Sequence, residues 1–175
     1  MMAIHFCLFI NEGGIFLIKV IFVCLGNICR SPMAEAVFRD LTVKAKLDRY
    51  ISVDSAGTGN WHVGEPPHEG TLSILRKHHI PTEGLIGRVI TEEDIRENDY
   101  IIAMDESNVR NIKALAGKND AHKIHLLLDF LPDEDIREVP DPYYTGNFEY
   151  VYDLIRRASE ALLHHIKDKE KLNAS

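Results

Sequence analysis

Cys24 and Arg30 stand six positions apart in the segment Val20-Ile21-Phe22-Val23-Cys24-Leu25-Gly26-Asn27-Ile28-Cys29-Arg30-Ser31. The apolar, β-branched run before Cys24 reads as a buried strand. Pro32 and the Met-Ala-Glu-Ala-Val-Phe stretch after it read as the first turns of a helix. A thiol on a loop between such a strand and helix faces unpaired N–H groups and a partial positive charge. That setting holds anions and favours a nucleophilic thiolate. The planar fork of Arg30 can grip two oxygens of a phosphate. Cys24 is therefore the candidate nucleophile of a displacement at phosphorus, passing through a cysteinyl-phosphate. The backbone N–H groups of Leu25, Gly26, Asn27, Ile28, Cys29 and Arg30 are the expected cradle. Gly26 and Asn27 are the residue types that best tolerate left-handed backbone. No Gly-Lys-Ser/Thr ends the loop, so it is not a Walker A nucleotide loop.

The elements that must hold this loop follow from periodicity. Strands are expected at 19–24, 50–55, 99–104 and 123–127. Helices are expected at 32–44, 71–79 and 107–115, with a short one capped by Thr91. Phe148, Val151, Ile155, Ala158, Leu162 and Ile166 recur at helical spacing and close the chain. Residues 56–70 form a Gly- and Pro-rich loop around Trp61, and 131–144 a long polar one. Residues 168–175 are expected to fray. Strands alternating with helices imply an α/β domain with a parallel sheet covered on both faces. Ligands bind beyond the carboxyl ends of such strands, which is where Cys24 falls.

The whole chain sets further bounds. Its 175 residues suit one domain able to bury a core without disulfides or metals. A formal charge of −7 and no long basic stripe argue against nucleic acid. Three cysteines, Cys7, Cys24 and Cys29, form no secretory framework and point to a reducing cytoplasm. No metal is expected: Cys24 and Cys29 lack a second ligand pair at zinc spacing, and His78-His79 and His164-His165 are adjacent residues that point apart on a helix. The apolar stretches 3–10 and 15–25 are too short to span a membrane, and 1–10 lacks the parts of a signal peptide.

The Cys-x5-Arg-Ser loop resembles that of the low-molecular-weight protein tyrosine phosphatases, bacterial type. The likeness extends to Val53-Asp54-Ser55-Ala56-Gly57-Thr58 with Trp61, to Ala103-Met104-Asp105-Glu106-Ser107-Asn108 and to Asp141-Pro142-Tyr143-Tyr144, in the same chain order. It covers about 18–166, and the domain is placed at 18–167. The resemblance implies four strands in the order 2-1-3-4, no cofactor, and a monomer or weak dimer. It also implies a phosphotyrosine-containing protein or small aryl phosphate as partner.

By the same resemblance Asp141 is the general acid; locally, Asp-Pro reads as a turn opener, and nothing nearby separates Asp141 from Asp133 or Asp135. Ser55 and His78 are expected to hold Asn27, and Ser31 to bond the Cys24 sulfur. Leu25, Ile28, Trp61, Tyr143 and Tyr144 are expected to wall a slot for a phenyl ring. Similar bacterial enzymes that act on phosphoarginine carry Thr at both loop positions filled here by Leu25 and Ile28, which makes phosphoarginine the alternative substrate. A non-catalytic phosphotyrosine or oxyanion binding module is the alternative outside enzymology. Arsenate reductases share the loop but need two cysteines downstream, and none follows Cys29. Cys29 is the expected redox partner of Cys24, guarding it through a reversible disulfide.

Residues 1–16 precede the family-like portion. Glu12-Gly13-Gly14 can be encoded by a purine-rich ribosome-binding sequence and Leu17 by the start codon TTG. The segment is thus expected to be a leader absent from the native protein; the alternative is an extra edge strand at 3–10. Intact mass of the natively expressed protein is expected to correspond to a start at Leu17, and a product retaining Met1 would exclude the leader.

Overall fold

A computed structural model describes residues 17–172. The leader or edge strand expected at 1–16 and the tail end at 173–175 lie outside the described residues. β1 (Ile18–Cys24) leads through the phosphate-binding loop into α1 (Arg30–Lys44), followed by β2 (Ile51–Gly57), α2 (Glu69–Lys77) and α3 (Glu92–Glu97). β3 (Tyr100–Ala103), α4 (Glu106–Leu115) and β4 (Ile124–Leu126) come next, then α5 (Pro142–Thr145) and α6 (Phe148–Lys169). The four strands form one parallel sheet in the order β2-β1-β3-β4.

β1 is central, and alternation along it builds two cores. Val20, Phe22 and Cys24 face a large cluster that includes Phe38 of α1 and Leu154 and Leu162 of α6. Ile21 and Val23 face a smaller one with Ile95 of α3 and Val109 and Ile112 of α4. Each large side chain buried this way is worth about 1.5–3 kcal/mol. Phe22 and Phe38 meet edge to face, ring centres 5.5 Å apart. Burial on both faces is what a run without polar alternation predicts, and it anchors Cys24 at the end of a strand buried from Val20 onward.

Most boundaries shift by one or two residues, as for α2 at Glu69–Lys77 rather than 71–79, and three differences have a local reason. α1 starts at Arg30 rather than Pro32. Proline then sits at the third helical position, where its missing N–H is one of those that no helical carbonyl would have met. The polar stretch 131–144 ends in a helical turn, because Asp141 caps it, Pro142 opens it and left-handed Gly146 closes it. α6 continues to Lys169 instead of fraying from 168; the Tyr100 hydroxyl donates to Glu170 Oε1 at 2.8 Å just past the helix end.

Candidate active site

The loop after β1 is shaped by where its carbonyls are sent. Cys24 O accepts from Thr58 N at 2.9 Å, Leu25 O from Gly59 N at 2.8 Å and Ile28 O from His68 N at 2.7 Å. Cys29 O accepts from the Thr71 hydroxyl at 3.1 Å. With the carbonyls fastened outward, the N–H groups are left to turn into the bowl at the α1 N-terminus. Asn27 makes the bend in left-handed backbone, with φ 55°. Gly57, at the end of β2, has to be glycine here: a Cβ would stand 2.9 Å from Leu25 O.

Asn27 also organises the polar floor. Its Nδ2 donates to Ser31 Oγ at 2.8 Å and to Ser55 Oγ at 2.9 Å, and its Oδ1 accepts from Arg88 N at 3.0 Å. Ser31 Oγ lies 3.0 Å from Cys24 Sγ. The structure therefore places Ser31 and Ser55 where they were expected, but not His78. That ring bonds Glu149 Oε1 at 3.1 Å and stacks on Tyr152 at 4.0 Å, tying α2 to α6. As the residue that ends α2, His78 faces the neighbouring helix, and the third bond to Asn27 comes from the Arg88 backbone instead.

Arg30 is 2% exposed. Its Nη1 donates to Asp105 Oδ2 at 2.7 Å and to Val139 O at 3.0 Å, and Nη2 to Asp141 Oδ2 at 3.3 Å. Nε is buried with no partner among the described residues. Of five N–H donors, the Nε–H and one Nη2–H remain. Two such donors on one guanidinium can take two phosphoryl oxygens. Burial pulls the Arg30 pKa down, but Cys24, Asp141 and Asp105 outweigh it and leave the group more firmly protonated than usual.

Asp105 carries no expected role from sequence, yet it is the firmest anchor of Arg30. It caps α4 through Oδ1, which accepts from Asn108 N at 2.8 Å, while Asn108 Oδ1 accepts from Asp105 N at 3.2 Å. The reciprocal cap aims the remaining oxygen at Arg30. The signal was present as Asp-x-x-Asn directly after a strand. Asp141 is likewise a cap, Oδ1 accepting from Tyr143 N at 3.1 Å, while Oδ2 accepts from Arg30 Nη2 at 3.3 Å.

Of these groups Cys24 and Asp141 open into one cleft of about 370 Å³. Cys24, Leu25, Ile28, Cys29, Asp141, Trp61, Tyr143 and Tyr144 all line it. His62, which sequence reasoning passed over, adds a further wall; its Nδ1 lies 2.7 Å from Glu65 Oε2. Trp61, Tyr143 and Tyr144 stay largely exposed on their outer sides, as walls of an open slot would. A nucleophilic sulfur, an N–H bowl, a guanidinium fork and a carboxyl at the rim can together transfer a phosphoryl group to sulfur and protonate what leaves.

A thiol-based α/β phosphatase is the class that this fold and site define. The family model for low molecular weight phosphotyrosine protein phosphatase matches residues 19–172. The chain is 52% identical over 156 residues to low molecular weight protein-tyrosine-phosphatase YfkJ of Bacillus subtilis, spanning 89% of this chain and 100% of that one. It is 49% identical over 150 residues to PtpA of Staphylococcus aureus, spanning 86% and 94% of the two chains. The crystal structure of YfkJ matches with a TM-score of 0.86 at 51% identity, over 91% of this chain and 99% of that one. A Drosophila arginine phosphatase matches with a TM-score of 0.80 at 37% identity, over 86% and 98%. The chain belongs to the low molecular weight protein tyrosine phosphatase family.

Asp105→Asn preserves a good cap but removes the charge facing Arg30. It is expected to lower kcat/KM for an aryl phosphate roughly ten- to a hundredfold, the worth of a charged hydrogen bond of about 1.5–3 kcal/mol. Inhibition by inorganic phosphate is expected to weaken and the melting temperature to fall, because with the cap kept the Asn Nδ2 would face the buried Arg30 donor. Steady-state kinetics beside a thermal melt checks this, and unchanged kcat/KM would remove Asp105 from the anchoring role.

Proposed function

We propose that the chain hydrolyses phosphotyrosine by in-line attack of Cys24, with Arg30 as the phosphoryl clamp and Asp141 as acid and then base. The single observation that carries this is that Cys24 and Asp141 line one cleft, with Asp141 Oδ2 held 3.3 Å from Nη2 of Arg30, whose buried Nε has no partner among the described residues. Cys24 sulfur bonds phosphorus as the tyrosyl C–O–P linkage breaks at P–O. The loop N–H groups and the fork stabilise charge on the equatorial oxygens. Asp141 gives its proton to the departing phenolate, whose pKa of about 10 makes that help substantial. Asp141 then takes a proton from water as the water attacks phosphorus, releasing phosphate and restoring the thiolate.

The slot argues for an aryl ester. Cys24 is buried at the bottom, and aromatic walls rise above it. A phenyl ring fills such a slot and carries its phosphate to the floor, which a short serine stem does not. Phosphoarginine is the second reading, since one matched structure is an arginine phosphatase. Leu25 and Ile28 argue against it: both line the cleft, and neither offers a hydroxyl to a polar guanidinium. Among the described residues no helix is long and apolar enough to cross a membrane. Free thiols at Cys24 and Cys29 support a reducing, cytoplasmic setting.

Cys29 fits the role of redox guard. Burial, with Asp141 and Cys24 adding to it, pushes its thiol up to about 12, so it keeps its proton while Cys24 reacts. Peroxide would oxidise the Cys24 thiolate to a sulfenic acid. The Cys29 sulfur would then displace the hydroxyl as water, closing a disulfide that a thiol reductant reopens.

Phosphotyrosine peptide and phosphoarginine, assayed side by side, are expected to show tyrosine-selective turnover that Cys24→Ser abolishes. Preference for phosphoarginine would overturn the pocket reading, and tight binding without turnover would make the chain a binding module. After peroxide, wild type is expected to regain activity with dithiothreitol and Cys29→Ser to stay inactive. Equal recovery would remove Cys29 from that role.

A further inference from the structure

Glu35, in the second turn of α1, is 4% exposed and has no part in the chemistry above. Its Oε2 accepts from Ser55 Oγ at 2.9 Å, and its Oε1 accepts from Arg39 Nη2 at 2.7 Å. Ser55 is already joined to Asn27, Asn27 to Ser31, and Ser31 to Cys24. We propose that Glu35 is a positioning residue for Cys24: its carboxylate is the terminal acceptor that takes the Ser55 proton and so fixes the buried end of the chain Glu35–Ser55–Asn27–Ser31–Cys24. The proposal rests on reading Cys24 as the nucleophile.

The direction follows from donor and acceptor counts. Arg88 N–H can only donate, so the Asn27 atom facing it is Oδ1, and Nδ2 must face the two serines. Both amide protons of Asn27 are thus spent on Ser31 Oγ and Ser55 Oγ. Each serine proton has to point elsewhere. From Ser55 it goes to the Glu35 carboxylate. From Ser31 it is left for Cys24 Sγ at 3.0 Å, with Ala56 O a longer choice at 3.3 Å. A proton on Glu35 would sit on Oε2, because Oε1 faces the Arg39 donor. Ser55 would then lose its acceptor, and the hold on Asn27 would loosen at its buried end.

Glu35 is poised for such a change. Burial pushes its pKa up to about 7, with Arg39 and Ser55 pulling down and Asp54 pushing up. The charged neighbours are few. Arg39 lies one turn along α1; Asp54, beside Ser55 on β2, is itself paired with Arg88 at 2.7 Å.

The rate of Cys24 alkylation by iodoacetamide, followed by peptide mass spectrometry, reads the chain without requiring turnover. Glu35→Gln is expected to slow it roughly tenfold at pH 8, the scale of one buried charged hydrogen bond. On a Ser55→Ala background, where the chain is already cut, the same change is expected to add less than about twofold. In wild type the Cys24 rate is expected to fall as pH drops through about 7 and Glu35 takes its proton, a step that Ser55→Ala erases. That wild-type comparison stands even if Glu35→Gln fails to fold. Fully multiplicative effects, a wild-type rate in Glu35→Gln, or a pH step that survives in Ser55→Ala would overturn the proposal. Absence of phosphatase turnover with these alkylation results would instead overturn the enzyme reading alone.

Discussion

A guanidinium taken almost wholly out of water is the constraint around which the site is built. Desolvating an unpaired charge costs several kcal/mol, so Arg30 can be buried only where acceptors already wait. They come from two places far from Arg30 in sequence: Asp105 after β3, and the 139–141 segment with its Val139 carbonyl and Asp141 side chain. Satisfying Arg30 therefore brings the ends of the central strands and the 139–141 segment to one point. Asp141 is thus brought to the cleft that Cys24 lines as a consequence of partnering Arg30. Arg30 Nε keeps no partner among the described residues.

The second requirement is directional. A loop cradles an anion only if its N–H groups are left unspent, and four carbonyls from Cys24 to Cys29 are fastened by Thr58, Gly59, His68 and Thr71. Asn27 is the hinge of this arrangement, since its left-handed backbone turns the loop while its side chain gathers Ser31, Ser55 and the Arg88 amide. Asparagine suits the position twice over, being tolerant of that backbone and carrying two donors and an acceptor in one plane. Glu35 lies behind the same hub, so the floor of the pocket and the interior of α1 share one hydrogen-bond system.

Much of this was legible in the residues. The apolar run at 20–24 marked the central strand, because a strand buried on both faces needs no polar alternation. The alternation of strands and helices marked the sheet. Asp141 drew its expected role only from likeness, since Asp-Pro reads locally as a turn opener, and the structure makes it the cap of α5. His78 was misplaced for a geometric reason: a residue at a helix end has two neighbours to choose from, and the direction it takes depends on how α2 packs against α6. Asp105, Glu35, Arg88 and His62 were passed over because in sequence they are ordinary caps, helix acids and loop residues.

What the sequence by itself determined is the chemistry: a thiol, a guanidinium and a glycine- and asparagine-bearing turn, spaced so that one strand end and one helix start must hold them. Those relations are local, and local backbone preferences suffice to read them. Only the tertiary structure decided which carboxylates serve that chemistry. Asp105, Asp141 and Glu35 lie 75 and 111 residues from Arg30, and 20 residues from Ser55, respectively. Whether an acid anchors, protonates or orients depends on which buried donor it meets, and only packing of the sheet and helices settles that meeting.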